Sequence, residues 1–359
     1  MASHPHTPLP WWSLALPILA WVLYFVGITG SGWLQLAGGV FLIGSVLSAV
    51  HHAEVVAHKV GEPFGTIILA LAITVIEVAL IVSLMVAGGD NAAYLARDTV
   101  FAAIMLILNG ILGICLMMGG LKHREQFFGP KSATTALVAL VAILVLTLVL
   151  PNFTTSTDGP TYSAPQMIFV AIASLVLYGS FIMVQTVRHR DYFLADDDDA
   201  SHHAEPPSLK VALTSLFFLV LCLGIVVLLA KALSPSIESM VANAGAPQAL
   251  VGVIIAAVVL LPEGLAALKA ARRNRLQTSI NLALGSALAS IGLTIPAVVI
   301  VCQMYDINLV LGLDLKSMVL LALSTFTVML SLNHGRTNIL YGIVLLVNLA
   351  AYVFTVIVP

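Results

Sequence analysis

Two glutamates, Glu77 and Glu263, lie deep inside long apolar stretches of the sequence. A lone carboxylate at the centre of a bilayer costs at least about 2.5–3.5 kcal/mol, so intramembrane ionisable residues are by default functional. Paired carboxylates suit a hard divalent cation such as Ca2+, which takes about six to eight oxygen ligands. Without a cation, two close carboxylates cannot both stay ionised, so at least one binds a proton. We therefore expect cations and protons to compete for these two side chains; the alternative is a protonated pair hydrogen-bonded within a helix bundle.

Both glutamates end a motif that occurs twice in the chain. It reads Glu, six residues, Gly, one residue, Pro, and then a long apolar run that ends in Glu; the copies cover 54–77 and 238–263. A helix rich in small residues with polar notches follows each copy, at 106–120 and 282–296. Internal repeats of this kind are typical of secondary transporters, whose binding site lies near the midplane at the repeat interface.

Composition places these motifs in a membrane. Of 359 residues, 60% are hydrophobic and 9% are charged, whereas a soluble domain carries about 25% charged residues. A soluble enzyme, a disulfide scaffold and a nucleic-acid binder are therefore excluded. A membrane-spanning helix needs about 20 apolar residues, and eleven stretches qualify. They lie near 11–29, 33–51, 65–87, 98–118, 133–150, 166–187, 209–231, 247–268, 277–302, 312–332 and 337–357.

The order of the eleven stretches predicts the fold. Five of them separate the two motif copies, and an odd number of crossings inverts the second copy relative to the first. We predict an all-α polytopic membrane protein, with eleven transmembrane helices arranged as one extra helix plus two inverted five-helix repeats. The predicted boundaries are 1–32 for the N-terminal segment, 33–188 and 209–359 for the repeats, and 189–208 for an acidic cytoplasmic linker.

The distribution of basic residues supports this count and gives an orientation. If the N-terminus is cytoplasmic, the even-numbered connections hold 12 of the 15 Lys and Arg residues, and the odd-numbered connections hold 3. An excess of Lys and Arg in cytoplasmic loops is the positive-inside rule. We expect a multi-pass protein of a bacterial inner membrane, with the N-terminus cytoplasmic and the C-terminus outside.

Further oxygen atoms could complete a cation site around the two glutamates. Thr74 precedes Glu77 by three residues and shares its helix face, and Pro262 has no N–H for the Val258 carbonyl. The polar notches of the two following helices supply the other candidates. These notches are Asn109, Ser286 and Ser290. Their alternative role is close packing of small residues between membrane helices.

A second group of ionisable residues lies near the membrane edges. Glu54 and Glu238 occupy equivalent places in the two motif copies, where they could relay protons or cations or could be solvated helix-end charges. His51, Glu54 and His58 share one helix face, and the histidines could sense pH or accept protons. A zinc site on these three residues would make the chain an intramembrane metallohydrolase, although the H-E-x-x-H pattern is absent.

The segment 188–207 is the one clearly hydrophilic connection between the apolar stretches. It contains the run Asp196–Asp199 next to His202 and His203. This run could capture cytoplasmic Ca2+ weakly, and the usual account of such a run is a solvated, disordered connector.

Two long segments resemble a known family. HHAEVVAHKVGEPFGTIILALAITVIEVALI at 51–81, followed by NGILGICLMMGGLKHREQFF at 109–128, is similar to the first repeat of the calcium/cation antiporter superfamily. LLPEGLAALKAARRNRLQTSINLALGSALASIGLTIP at 260–296 is similar to the second repeat. Within the cation/proton exchanger group, the chain looks most like the bacterial Cha-type calcium (sodium, potassium)/proton antiporters, from about residue 33 onward.

The resemblance implies an antiporter, not an enzyme, that exports cytoplasmic Ca2+ in exchange for protons by alternating access, with no cofactor. Glu77 and Glu263 match the family's central ion-binding glutamates. The family has an Asn three residues before each, where this chain has Thr74 and Leu260; a Na+(K+)/H+ antiporter with little Ca2+ transport is therefore the alternative. A cation channel using the same glutamates is a further rival. The implied partners are inorganic cations, protons and the lipid bilayer, with no nucleic acid.

Overall fold

The computed structural model describes residues 9–27, 32–61, 64–87, 92–193, 207–245, 247, 249–305 and 307–358. Within these parts, every predicted stretch contains a helix. The helices are α1 (Trp11–Val26), α2 (Gly32–Val60), α3 (Phe64–Ala87), α4 (Ala92–Met105), α5 (Leu112–His123), α6 (Pro130–Leu144), α7 (Ala164–Met183), α8 (Leu209–Asn243), α9 (Ala249–Arg272), α10 (Leu276–Tyr305), α11 (Leu315–Leu332) and α12 (Ile339–Ile357). A π-helical turn, Leu106–Ile111, joins α4 to α5. Two short strands, β1 (Gln126–Phe127) and β2 (Arg336–Thr337), pair antiparallel.

Most of these helices can cross a bilayer. Within the described residues, nine helical segments are long and apolar enough to do so, with α4 and α5 counted as one. The first predicted span corresponds to the shorter apolar helix α1, Trp11–Val26, and the third lies in α3, which contains the apolar segment Leu71–Ser83. Helices are the expected solution because lipid offers no partners to backbone N–H and C=O groups. The prediction of an all-α polytopic membrane protein is confirmed.

The two motif copies share an unusual backbone turn. Gly61 follows α2 with φ +78°, and Gly245 follows α8 with φ +69°. The Gly61 N–H donates to the Ala57 carbonyl oxygen at 2.9 Å, which closes the end of the helix. Because side chains with a Cβ rarely adopt this left-handed conformation, glycine is the residue that lets each copy end one helix before the glutamate-bearing helix begins.

One compact unit comprises residues 1–87 and 201–244 and contains α1, α2, α3 and α8. In it, α2 packs along α8, and α1 lies against both. The Ser13 carbonyl of α1 accepts a hydrogen bond from the Ser48 hydroxyl of α2 and lies 3.1 Å from His52 Nε2. Cys222 of α8 donates to the same Ser48 hydroxyl at 3.4 Å. A buried polar contact therefore joins the three helices.

The other compact unit comprises residues 88–200 and 245–359 and contains α4–α7 and α9–α12. Its core is α10, which packs against α4, α6, α7 and α9. α5 and α12 approach so closely that a Cβ on Gly342 would lie 2.3 Å from the Met117 nitrogen, as is common where small residues line membrane interfaces. Each unit thus takes helices from both repeats, and the repeat boundaries at 33–188 and 209–359 stay a prediction.

Candidate cation-binding site

The glutamate of the first motif copy lies on α3, in the unit formed by α1, α2, α3 and α8. Glu77 is 5% exposed, and Thr74, one helical turn earlier, is also 5% exposed. Leu71 and Val75 are exposed on other faces of the helix. Thr74 and Glu77 are therefore buried while Leu71 and Val75 face outward, which is how ionisable residues are placed in membrane helices.

The glutamate of the second copy lies on α9, in the other unit. The Ser286 hydroxyl of α10 donates a hydrogen bond to Glu263 Oε2. α9 continues through Pro262, which has no N–H to offer the Val258 carbonyl one turn earlier. This part of α9 and α10 thus carries three kinds of oxygen group. They are the Glu263 carboxylate, the Ser286 hydroxyl and the Val258 carbonyl, which lacks its usual helical donor.

The remaining candidate ligands are buried in the same unit as Glu263. Asn109 is fully buried in the π-helical turn between α4 and α5. Its Nδ2 donates to the Ser324 hydroxyl of α11 at 2.9 Å and to the Met105 carbonyl at 3.2 Å. Ser290, one helical turn after Ser286 on α10, is 4% exposed. The sequence offers no sign of the Ser324 contact, because the two residues are 215 positions apart.

A model of the sodium/calcium exchanger protein family matches residues 30–187 and 214–358, which is most of the chain. The chain belongs to the sodium/calcium exchanger protein family. It is therefore a multi-pass membrane protein from a family of transporters.

Two relatives and one solved structure resemble this exchanger over nearly its whole length. The protein y4hA of Sinorhizobium fredii (strain NBRC 101917 / NGR234) is 45% identical, over 99% of this chain and 97% of its own. The sodium-potassium/proton antiporter ChaA of Escherichia coli (strain K12) is 35% identical, over 96% of this chain and 95% of its own. The structure of YfkE, a Ca2+/H+ antiporter protein, matches with a TM-score of 0.75 at 18% identity, over 97% of this chain and 99% of that one. This last similarity shows a shared fold.

The metallohydrolase alternative is wrong for this exchanger. In the described parts of the chain, no group of three or more His, Cys, Asp or Glu side chains could hold a metal ion, so His51, Glu54 and His58 form no such cluster. The His51 ring instead packs against Trp12, with ring centroids 5.5 Å apart. Glu54 and His58 are exposed. Glu238 is exposed too, and its Oε1 accepts a hydrogen bond from the Ser234 hydroxyl at 2.8 Å.

Sequence reasoning overlooked two polar features of the fold. Arg97 pairs with Asp98, with Nη2 and Oδ1 2.7 Å apart, and donates from Nη1 to the Gly312 carbonyl at 3.0 Å. The second feature is His52, which directly follows His51 and is fully buried. The adjacent Arg-Asp pair inside an otherwise apolar segment was the available signal for the first feature. The predicted calcium-capturing run Asp196–Asp199 lies outside the described residues.

Proposed function

We propose that this chain is a secondary active cation/proton antiporter that exports cytoplasmic Ca2+, and also Na+ and K+, in exchange for protons. The observation that carries the proposal is the duplicated motif, in which each copy ends a helix at a left-handed glycine and places a glutamate within the next helix. Membership in the sodium/calcium exchanger protein family supports it. So do the names of relatives, which specify sodium-potassium/proton and Ca2+/H+ antiporters.

In this proposal Glu77 and Glu263 carry both the cation and the protons. The ionised carboxylates bind the cation, and protonation of the same oxygens releases it. The protein changes the side to which the site opens only when either the cation or the protons are bound. Alternating access then couples the two fluxes. The membrane potential contributes about 2.3 kcal/mol for each net charge moved across 100 mV, which helps to drive export if more positive charge enters than leaves.

Hydroxyl and carbonyl oxygens would complete the cation's coordination, since Ca2+ takes oxygen ligands alone in such sites. The candidates are Thr74, Asn109, Val258 through its carbonyl, Ser286 and Ser290. The bond from Ser286 to Glu263 supports this role, because it places a second oxygen next to the carboxylate. Glu54, Glu238, His51 and His58 would pass protons or cations toward the glutamates; the exposure of three of them fits contact with water.

The proposed location is a bacterial inner membrane, with the N-terminus cytoplasmic and the C-terminus outside. The basis is the split of 12 cationic residues against 3 between the two sets of connections. That asymmetry orients membrane proteins during insertion.

A Na+(K+)/H+ antiporter with little Ca2+ transport is the second candidate. The observation that favours it is Leu260, a buried apolar side chain one helical turn before Glu263, where the family resemblance implies an asparagine. One fewer oxygen ligand weakens a site for Ca2+ more than a site for a monovalent ion, because Ca2+ needs more oxygens. The 35% identical sodium-potassium/proton antiporter supports this candidate as well.

Inside-out vesicles with an acidic lumen and a pH-sensitive dye test both candidates. Ca2+, Na+ and K+ are added in turn to vesicles with the wild type, Glu77→Gln, Glu263→Gln or the exposed control Glu125→Gln. We expect cation-evoked collapse of the pH gradient in the wild type and the control and none in the other two variants. Collapse with Na+ and K+ but not with Ca2+ would select the second candidate. Cation flux without coupled proton movement would indicate a channel, and no flux in vesicles shown to contain the protein would overturn the proposal.

A further inference from the structure

We propose that Ser324 of α11 is a positioning residue for cation exchange, because it fixes which end of the Asn109 side-chain amide is left for a ligand. The inference rests on the proposed function and adds a residue to it. Ser324 touches neither glutamate in any hydrogen bond of the described residues; it acts through Asn109.

The direction of each hydrogen bond around Asn109 follows from the available protons. The Ser324 hydroxyl has one hydrogen, which goes to the Leu320 carbonyl at 2.8 Å rather than to the weaker acceptor Met105 Sδ at 3.5 Å. Its oxygen can therefore only accept from Asn109, whose Nδ2 lies 2.9 Å away. The second neighbour, the Met105 carbonyl at 3.2 Å, has no hydrogen at all and also must accept. Both neighbours thus face the amino end of the amide.

A reversed amide is disfavoured for the same reasons. It would bring Oδ1 against the Met105 carbonyl oxygen, and it would draw the Ser324 proton away from the Leu320 carbonyl. Two oxygen atoms that lie against each other with no hydrogen between them repel in a low-dielectric interior. The two contacts together therefore select one orientation of the Asn109 side chain.

The selected orientation leaves a carbonyl oxygen without a partner. Asn109 is fully buried, and among the described residues its Oδ1 accepts no hydrogen bond. Buried acceptors of this kind are rare, and each calls for an explanation such as a ligand or an ion. The residue also lies in a π-helical turn, Leu106–Ile111, a feature found often at functional sites.

The π-helical turn lies beside the glutamate of α9. A Cβ added to Gly264 would lie 3.5 Å from Ile111 Cδ1, so the turn contacts the residue that follows Glu263. An oxygen presented by this turn can ligate a cation, whereas an amide N–H2 in its place would repel one. Ser324 therefore determines apparent cation affinity more than the rate of turnover.

The test measures cation-evoked proton flux at several cation concentrations for wild type, Ser324→Ala, Asn109→Ala and the double variant. The matched control is Thr325→Val on the same helix, whose hydroxyl donates, among the described residues, only to the Leu321 and Ala322 carbonyls of its own helix. Loss of one net hydrogen bond corresponds to roughly three- to tenfold, so Ser324→Ala should raise the apparent KM by that factor with a near-normal maximal rate. The double variant should be no worse than Asn109→Ala, since both changes act through one oxygen.

Several outcomes would overturn the inference. The inference fails if the apparent KM of Ser324→Ala lies within twofold of that of Thr325→Val. It also fails if the KM increases of the two single variants multiply in the double variant. A lower melting temperature with an unchanged KM would show a merely structural role. Wild-type vesicles without any exchange would instead overturn the proposed function, and this inference with it.

Discussion

The helices that carry the two glutamates, α3 and α9, come from copies of one motif, yet they surround their carboxylates differently. One turn before Glu77 stands the buried hydroxyl of Thr74, and one turn before Glu263 stands the buried, apolar Leu260. α9 has Pro262 within the helix and a hydroxyl donor from α10, Ser286, on its carboxylate. The second copy thus has the apolar Leu260 where the first copy has the Thr74 hydroxyl. The second copy also has a backbone carbonyl, that of Val258, without its usual helical donor.

This difference teaches that duplication preserves the placement of the charge more strictly than the identity of the surrounding oxygens. A carboxylate within a membrane helix needs compensation, but hydroxyl, amide and backbone oxygens all provide it. Under the proposed function, exchange depends on the glutamates of both copies, whereas cation preference depends on the oxygens that differ between the copies.

The largest expected effect comes from shortening either carboxylate. Glu77→Asp and Glu263→Asp keep the charge but withdraw it by roughly one carbon–carbon bond, about 1.5 Å. A misplacement of this size costs about a hundredfold, so initial rates of cation-evoked proton flux should fall by that factor in each variant. Glu125→Asp is the control. A variant that keeps more than about a tenth of the wild-type rate would show that its copy of the motif does not hold the cation closely.

Next comes the effect of pH on apparent cation affinity. Lowering the pH on the cation side protonates the carboxylates that the cation needs, so the apparent KM should rise as the pH falls. The slope should reach up to about tenfold per pH unit for each proton displaced. Flux measured over about three pH units in wild-type vesicles checks this. A KM that stays constant with pH would contradict competition at Glu77 and Glu263.

Removing the hydroxyl donor of the second copy should have a smaller effect. Ser286→Ala takes away the hydrogen bond to Glu263 and should raise the apparent KM by roughly three- to tenfold. Thr278→Val, also on α10, is the control and should behave as wild type. Equal KM values in the two variants would mean that the Ser286 contact does not help to hold the cation.

Restoring an amide to the second copy should change selectivity modestly. Leu260→Asn adds an oxygen one turn before Glu263 and should improve the apparent KM for Ca2+ relative to Na+ by about threefold. Leu261→Asn places the same amide on another helix face and serves as the control. A preference shifted equally by both variants would refute a site-specific role for residue 260.

The smallest effect concerns the two glycine turns and should be equal in the two copies. Among the described residues, a Cβ on Gly61 or Gly245 would meet nothing within 4 Å, so the positive φ is what disfavours alanine there. That strain costs about 1–2 kcal/mol. Thermal unfolding in detergent should show similar losses for Gly61→Ala and Gly245→Ala, with unchanged exchange per folded molecule. A large inequality would show that the turns are not equivalent.

Much of the fold follows from the sequence because apolar length and glycine placement are local properties. The eleven helices, the turns at Gly61 and Gly245 and the shared face of Thr74 and Glu77 depend on neighbours within a few residues. The contact between Asn109 and Ser324 depends instead on two helices that are distant in sequence. No periodicity distinguishes Ser324 from the other hydroxyl residues of α11, several of which bond to their own helix.

The sequence by itself determined that the chain is helical and membrane-embedded and that a motif occurs twice, each time ending in a glutamate deep within an apolar run. Those properties follow from the cost of burying charges and unpaired backbone groups in lipid, which acts on every span alike. Only the tertiary structure decided that Ser286 donates to Glu263 and that Asn109 donates to Ser324. These pairings depend on the positions of neighbouring helices to within about an ångström. Uniformly apolar spans carry little information about which helix faces meet.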